Sequence, residues 1–273
     1  MPTLAVAGVE VHFSEQGSGE AAVFVHAGGS DGSQWRGVGQ SLAGAWRILA
    51  IDLYGHGRSG APPGLATIGL DECALPVIAL VRQCAGKVHL VGHSFGGAVA
   101  LRAALAARER LASLTLIEPN SFTLLRQAGE HDLYADIRRE AEHFMGAVQR
   151  DAGEEALERF VNFWNGAPGM WTTLPERVRT DLLGRAKPIA AGWHALLADP
   201  TLAAECRQFG LPTLVMHGRR TIPAFHRLTE LLAELLPDSR RVSIEGAGHM
   251  SPVTHPQPVA EAIAGFLTKH DPA

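Results

Sequence analysis

The hydrophobic and polar positions of this chain change rhythm repeatedly, and the changes predict alternating strands and helices. Short alternating runs at residues 4–6 and 9–13 surround Gly8 and predict a β-hairpin. Runs at 21–25, 47–52 and 88–91 predict buried strands. Between them, residues 35–42 and roughly 70–84 have the spacing of helices. From Phe95 an Ala-rich segment (Ala98, Ala100, Leu101, Ala103, Ala104, Leu105) predicts another helix. Residues 114–117 supply a further buried strand, closed by Glu118 and Pro119. Strand alternating with helix implies an α/β fold with a mostly parallel, doubly covered sheet.

The pattern then changes character. From about 121 to 208 there is no convincing strand, while 134–149, 154–164, 176–183 and 189–197 look helical. Breaks are expected at Gly153, Pro168, Pro175, Pro188 and Pro200. This predicts a helical cap at 120–208, inserted after the sixth strand and lying over the carboxyl edge of the sheet. The core would then comprise 1–119 and 209–273. The α/β pattern resumes with a strand at 211–216, an amphipathic helix at 223–236 and a strand at 241–244. A closing helix at 258–267 places Val259, Ile263, Phe266 and Leu267 on one face.

Composition narrows the function classes. Of 273 residues, 46% are hydrophobic and 19% charged, as in a globular protein with a large core. A net charge of −4 without any basic run argues against nucleic acid or an anionic membrane as partner. No apolar run is long enough to span a bilayer. Residues 1–10 lack the basic start and apolar block of an export signal. Cys73, Cys84 and Cys206 are dispersed and odd in number, as reduced core thiols are, so a cytoplasmic location is expected. No Cys/His grouping has zinc spacing, and no metal site is expected.

The chemistry gathers at strand ends. Ser94, in Gly92-His93-Ser94-Phe95-Gly96, falls on the turn between a strand and a helix. Glycines at 92 and 96 leave room for a turn tight enough to lift the hydroxyl clear of the sheet edge, the geometry of a nucleophile elbow. His26-Ala27-Gly28-Gly29-Ser30 forms a flexible loop after a strand, where backbone N–H groups can face a substrate oxygen.

With Asp52-Leu53-Tyr54-Gly55-His56-Gly57-Arg58-Ser59 and Gly246-Ala247-Gly248-His249-Met250, these motifs resemble the α/β-hydrolase family, of the capped, lipase- and esterase-like kind. The resemblance covers all of the chain outside the cap. It implies Ser94 as nucleophile, His249 as general base, and the N–H groups of Phe95 and Gly28 as an oxyanion hole. Relatives commonly have His-Gly where this chain has His26-Ala27; if that position needs a positive φ, Ala27 is strained. Most relatives also carry an aspartate three residues beyond a His-Gly pair. Here His217-Gly218 leads instead to Thr221, which cannot stabilise an imidazolium. Some family members take the acid from the end of the preceding strand, which is Glu118 in this sequence. The alternative is that Glu118 pairs with Arg219 or Arg220, or packs the base of the cap. Asp31 and Asp52 are weaker candidates, Asp52 being better placed to pin its own loop. His93 is expected to point away from Ser94, and His26 and His56 to organise loops.

In the cap, Phe160, Phe163, Trp164, Met170, Trp171 and Trp193 either line an apolar pocket or hold the cap helices together. Trp164 and Trp171, which flank the turn Gly166-Ala167-Pro168-Gly169, are the candidate substrate contacts. The implied function is a cofactor-free serine hydrolase. Its substrate would be a small, partly apolar ester or related carbonyl compound, including a β-diketone-like carbon–carbon bond, cleaved through an acyl-enzyme. The serine at the elbow disfavours an aspartate-nucleophile epoxide hydrolase or dehalogenase. Competing readings are a non-hydrolytic ligand-binding or regulatory protein, favoured by Thr221, and a lyase using Ser94 and His249 as acid–base groups. A small molecule is the partner implied; no oligomeric state is assigned.

Overall fold

The computed structural model describes residues 2–270. Eight strands form one sheet in the order β1-β2-β4-β3-β5-β6-β7-β8. They are β1 (Thr3–Val6), β2 (Val9–Gln16), β3 (Glu20–Val25), β4 (Trp46–Ile51), β5 (Val88–His93), β6 (Leu111–Ile117), β7 (Thr213–Gly218) and β8 (Ser239–Ile244). The β1–β2 hairpin is antiparallel and docks antiparallel on β4. Every other pairing is parallel. The sheet is the α/β-hydrolase fold, mostly parallel and covered by helices on both faces.

The apolar runs read as continuous because both faces are buried. Along β3, Val23 and Val25 join one core cluster and Phe24, between them, joins the other. Leu90 and Val91 of β5 split the same way. Helix α1 (Arg36–Leu42) covers one face, and α2 (Leu70–Gln83) with α3 (Phe95–Ala106) the other. The chain leaves β3 towards β4 on one side and leaves β5 towards β6 on the other. The loops after β3 and β5 therefore part at the carboxyl edge and open a crevice between them.

Between β6 and β7 the chain is helical: α4 (Thr123–Gln127), α5 (His131–Gln149), α6 (Gly153–Trp164), α7 (Met170–Thr173), α8 (Glu176–Gly184), α9 (Ala186–Leu197) and α10 (Ala203–Gln208). Pro188, expected to break this segment, instead lies in the first turn of α9, where a proline costs no intrahelical hydrogen bond. The chain then completes the sheet, with α11 (Pro223–Leu235), α12 (Ser251–Thr254) and α13 (Pro256–Leu267). Among the described residues no helix is long and apolar enough to cross a membrane.

Candidate active site

The turn after β5 is held open by glycine. A Cβ on Gly92 would lie 2.4 Å from the Gly96 carbonyl oxygen, and one on Gly96 would lie 2.2 Å from that of His26. Between them Ser94 adopts φ 57° and ψ −122°. Its N–H donates to the Ile117 carbonyl at 2.9 Å, while its own carbonyl accepts from Gly97 at 2.9 Å and Asn120 at 3.0 Å. The neighbouring strand end and the first turn of α3 thus fix a backbone conformation that non-glycine residues rarely adopt.

Three side chains singled out in the sequence meet above this turn. His249 Nε2 accepts from Ser94 Oγ at 2.9 Å, and His249 Nδ1 donates to Glu118 Oε2 at 2.6 Å. All three are buried, at 6%, 3% and 0% exposure for Ser94, His249 and Glu118. The two bonds fix the neutral tautomer of the imidazole, with its lone pair towards the serine. Glu118 is anchored twice more. Oε1 accepts the Gly218 N–H at 2.7 Å, and Oε2 accepts the Thr221 hydroxyl at 2.7 Å. It pairs with neither Arg219 nor Arg220; Arg219 faces Glu245 at 3.4 Å. Thr221 occupies the position where the resemblance implied an acid, and its hydroxyl donates to Glu118. Asn120 also approaches Ser94 Oγ, at 3.4 Å, an interaction no sequence motif announced.

The loop after β3 lies opposite. Ala27 N–H donates to Gln34 Oε1 at 3.1 Å and Gly29 N–H to His56 Nε2 at 3.2 Å. The N–H of Gly28, between them, donates to no other group among the described residues. The N–H of Phe95 opens α3, where a helix offers no internal acceptor. The two residues are neighbours, since a Cβ on Gly28 would sit 3.5 Å from that of Phe95. Ala27 is not strained. Among the described residues the non-glycine positive φ angles belong to Ala7, Ser94, Glu118 and Asp151, and in this loop Gly29 takes the left-handed conformation at φ 76°. Arg185, at the start of α9, reaches down to the loop. It donates to the Gly29 carbonyl at 2.8 Å and to Asp31 Oδ2 at 2.7 Å.

Histidines brace the site from behind. His26 Nδ1 donates to its neighbour's carbonyl and Nε2 accepts from Leu53 N–H at 3.0 Å. His56 Nδ1 donates to the Tyr54 carbonyl at 2.9 Å. His93 points away from the serine: Nε2 donates to the His249 carbonyl at 2.9 Å, and Nδ1 accepts from Gln34 at 3.1 Å. Burial drives their pKa values down, to about 4 for His26 and about 3 for His56, and well below the ordinary value for His93. Each works as a neutral hydrogen-bonding strut. Asp52 accepts from Gly32 and Arg58 N–H groups at 2.7 and 3.0 Å, tying its own loop to the one after β3.

Aromatic rings cover the imidazole. Phe225 stacks on His249 at 4.6 Å between centroids, and Trp164 at 5.3 Å. The cavity over Ser94 is lined by Phe160, Ile189, Trp193 and Leu196 from the helical insertion. Neither tryptophan expected as a substrate contact lines it. Trp164 stacks on the His249 ring, and Trp171 is buried beside α6, its backbone N–H donating to Asn162 Oδ1 at 3.1 Å. Helical spacing marked these aromatics as an apolar set but could not rank them, because only the packing of α6 against α9 decides which rings turn to the serine.

The family model described as Alpha/beta hydrolase family matches residues 22–262, and the chain belongs to that family; it is an α/β-hydrolase enzyme. It is 30% identical over 267 residues to the pimeloyl-[acyl-carrier protein] methyl ester esterase of Aeromonas salmonicida, over 92% of this chain and 96% of that protein. It is 26% identical over 270 residues to the 2-hydroxy-6-oxo-6-(2'-aminophenyl)hexa-2,4-dienoic acid hydrolase of Metapseudomonas resinovorans, over 96% and 89% of the two chains. Among solved structures, a thermophilic esterase from Thermogutta terrifontis aligns with a TM-score of 0.78 at 25% identity, over 99% of this chain and 100% of that one.

Proposed function

We propose that the chain is a serine hydrolase that cleaves a carboxylic ester through an acyl-enzyme on Ser94. The observation that carries this reading is the buried relay from Ser94 Oγ through His249 to Glu118, with bonds of 2.9 and 2.6 Å. Ser94 Oγ attacks the ester carbonyl while His249 Nε2 takes its proton, and the Glu118 carboxylate stabilises the imidazolium that forms. The carbonyl oxygen, now an oxyanion, is held by the N–H groups of Phe95 and Gly28. His249 then protonates the departing alkoxide. Water enters, gives its proton to His249 and attacks the acyl-enzyme; Ser94 regains its proton and the acid leaves. The helices between β6 and β7 serve as a cap that excludes bulk water from this sequence. The likeness to proteins named as esterases supports an ester as the substrate.

The test is hydrolysis of p-nitrophenyl acetate and butyrate together with labelling by a fluorophosphonate. The wild-type protein is expected to turn over and to take the label, and Ser94→Ala to lose both. Turnover that survives Ser94→Ala, or that proceeds while Ser94 stays unlabelled, would refute the acyl-enzyme.

A further inference from the structure

We infer that the ester's alcohol arm is its long arm, and that it passes Phe160 into a groove on the outer face of α5 and α6. This rests on the serine-esterase reading above. The cavity over Ser94 measures only about 20 Å³, room for roughly one water. On the oxyanion side it borders a pocket of about 10 Å³ that shares Phe95, Pro188 and Gly192 with it. There α9 presses close, a Cβ on Gly192 coming 3.4 Å from the Phe95 ring. That pocket shares no lining residue with the surface groove described next, so that side takes a small acyl group only.

The opposite side leads outward. Phe160 and Trp193 also line a second pocket of about 10 Å³, whose far wall includes Arg159 and Phe163. Arg159 and Phe163 in turn line a surface groove of about 760 Å³. Each space thus shares walls with the next, and Phe160 is common to the first two. That ring is half-buried and meets its aromatic neighbours Phe144, Trp164 and Trp193 at tilted or edge-on angles, 5.4 to 6.5 Å between centroids.

The chemistry fixes which arm goes there. The departing alkoxide takes its proton from His249 Nε2, so the alcohol lies on the imidazole's side of the serine. The groove is on that side too. Its wall includes Ile222, Pro223 and Ala224, the three residues before the Phe225 that stacks on His249. It also includes Phe163, 4.8 Å from the Trp164 that stacks on the same ring. Leu133, Ile137, Phe163 and Ile222 make the groove apolar, while Asp136, Glu155 and Glu158 on its rim are acidic. Its guanidinium, Arg159, is already engaged by Glu140 at 2.7 Å, and its His143 faces Glu155 at 3.4 Å. The alcohol that fits is long and apolar, with a neutral or cationic end.

Octyl acetate and ethyl octanoate are isomers that differ only in which arm is long, so comparing their kcat/KM values tests the assignment. Octyl acetate is expected to lead by at least about tenfold. Phe160→Trp should shrink that lead, and Phe160→Ala should raise octyl acetate relative to ethyl acetate; Phe160→Leu replaces the alanine variant if its thermal melt shows a folding defect. At low salt, 6-acetoxyhexyl-trimethylammonium should outrun 6-acetoxyhexanoate, with the gap closing in 1 M NaCl as the rim is screened. Equal or faster hydrolysis of ethyl octanoate, or a ratio that no Phe160 variant moves, would overturn this assignment and leave the esterase reading standing. Ester turnover that does not need Ser94 would instead overturn the esterase reading itself.

Discussion

The carboxyl ends of β6 and β7 lie side by side, Ile117 paired with Met216, and the residues that follow them stand at different removes from the same imidazole. At the β6 end Glu118 contacts His249 directly; at the β7 end Thr221 contacts Glu118. In most relatives the resemblance puts the carboxylate at the second place. The difference between the two ends is what each touches: the β6 end puts a carboxylate on the imidazole, and the β7 end puts a hydroxyl on that carboxylate. Glu118 sits at φ 42°, a strained backbone held by its N–H bond to the Met216 carbonyl at 2.9 Å.

Four outcomes would break or sharpen this comparison. The largest is expected from Glu118→Gln, which keeps the shape but removes the charge; kcat should fall by about 10³ to 10⁴, read by steady-state ester hydrolysis with circular dichroism unchanged. A smaller loss would mean that the β6 end is not the acid. Next, Thr221→Asp in a Glu118→Ala background should recover at least about tenfold over Glu118→Ala alone, since the two side chains approach to 2.7 Å. No recovery would show that the β7 end can no longer reach the ring. Thr221→Val removes one of Glu118's three hydrogen bonds and should lower kcat by roughly tenfold, with KM nearly unchanged. The last outcome is read in stability and not in rate, and concerns the histidines behind the site. His26, His56 and His93 stay neutral when folded but protonate near pH 6.5 when unfolded, so below that pH the unfolded chain binds more protons. Stability should therefore fall as pH drops from about 6.5 towards the folded values of about 4 and 3, by about 1.4 kcal/mol per pH unit for each group. Urea midpoints at pH 7.5, 6 and 5 measure this slope.

Much of this was legible in the sequence. Strands buried on both faces announce themselves as apolar runs, and the glycines at 92 and 96 mark a turn that no side chain could enter. Ser94, His249 and Glu118 come from different stretches of the chain, and the imidazole hydrogen-bonds to both of the others. What stayed hidden depends on packing across the molecule. Pro188 reads as a break unless the start of α9 is known. Trp164 and Trp171 look alike in sequence, yet one lies on the imidazole and the other in the helical layer. The hydroxyl of Thr221 finds its acceptor 103 residues away, and no local pattern encodes that.

Arg185 bears on how substrate can enter. It belongs to the helical layer, yet both of its short bonds end on the loop that presents the Gly28 N–H. Helices α8 and α9 cannot lift without either dragging that loop with them or severing two charge-assisted contacts. If the chain is the serine esterase proposed above, opening those helices to admit an ester would also pull on the loop that carries the Gly28 N–H, and access and activation would be mechanically joined.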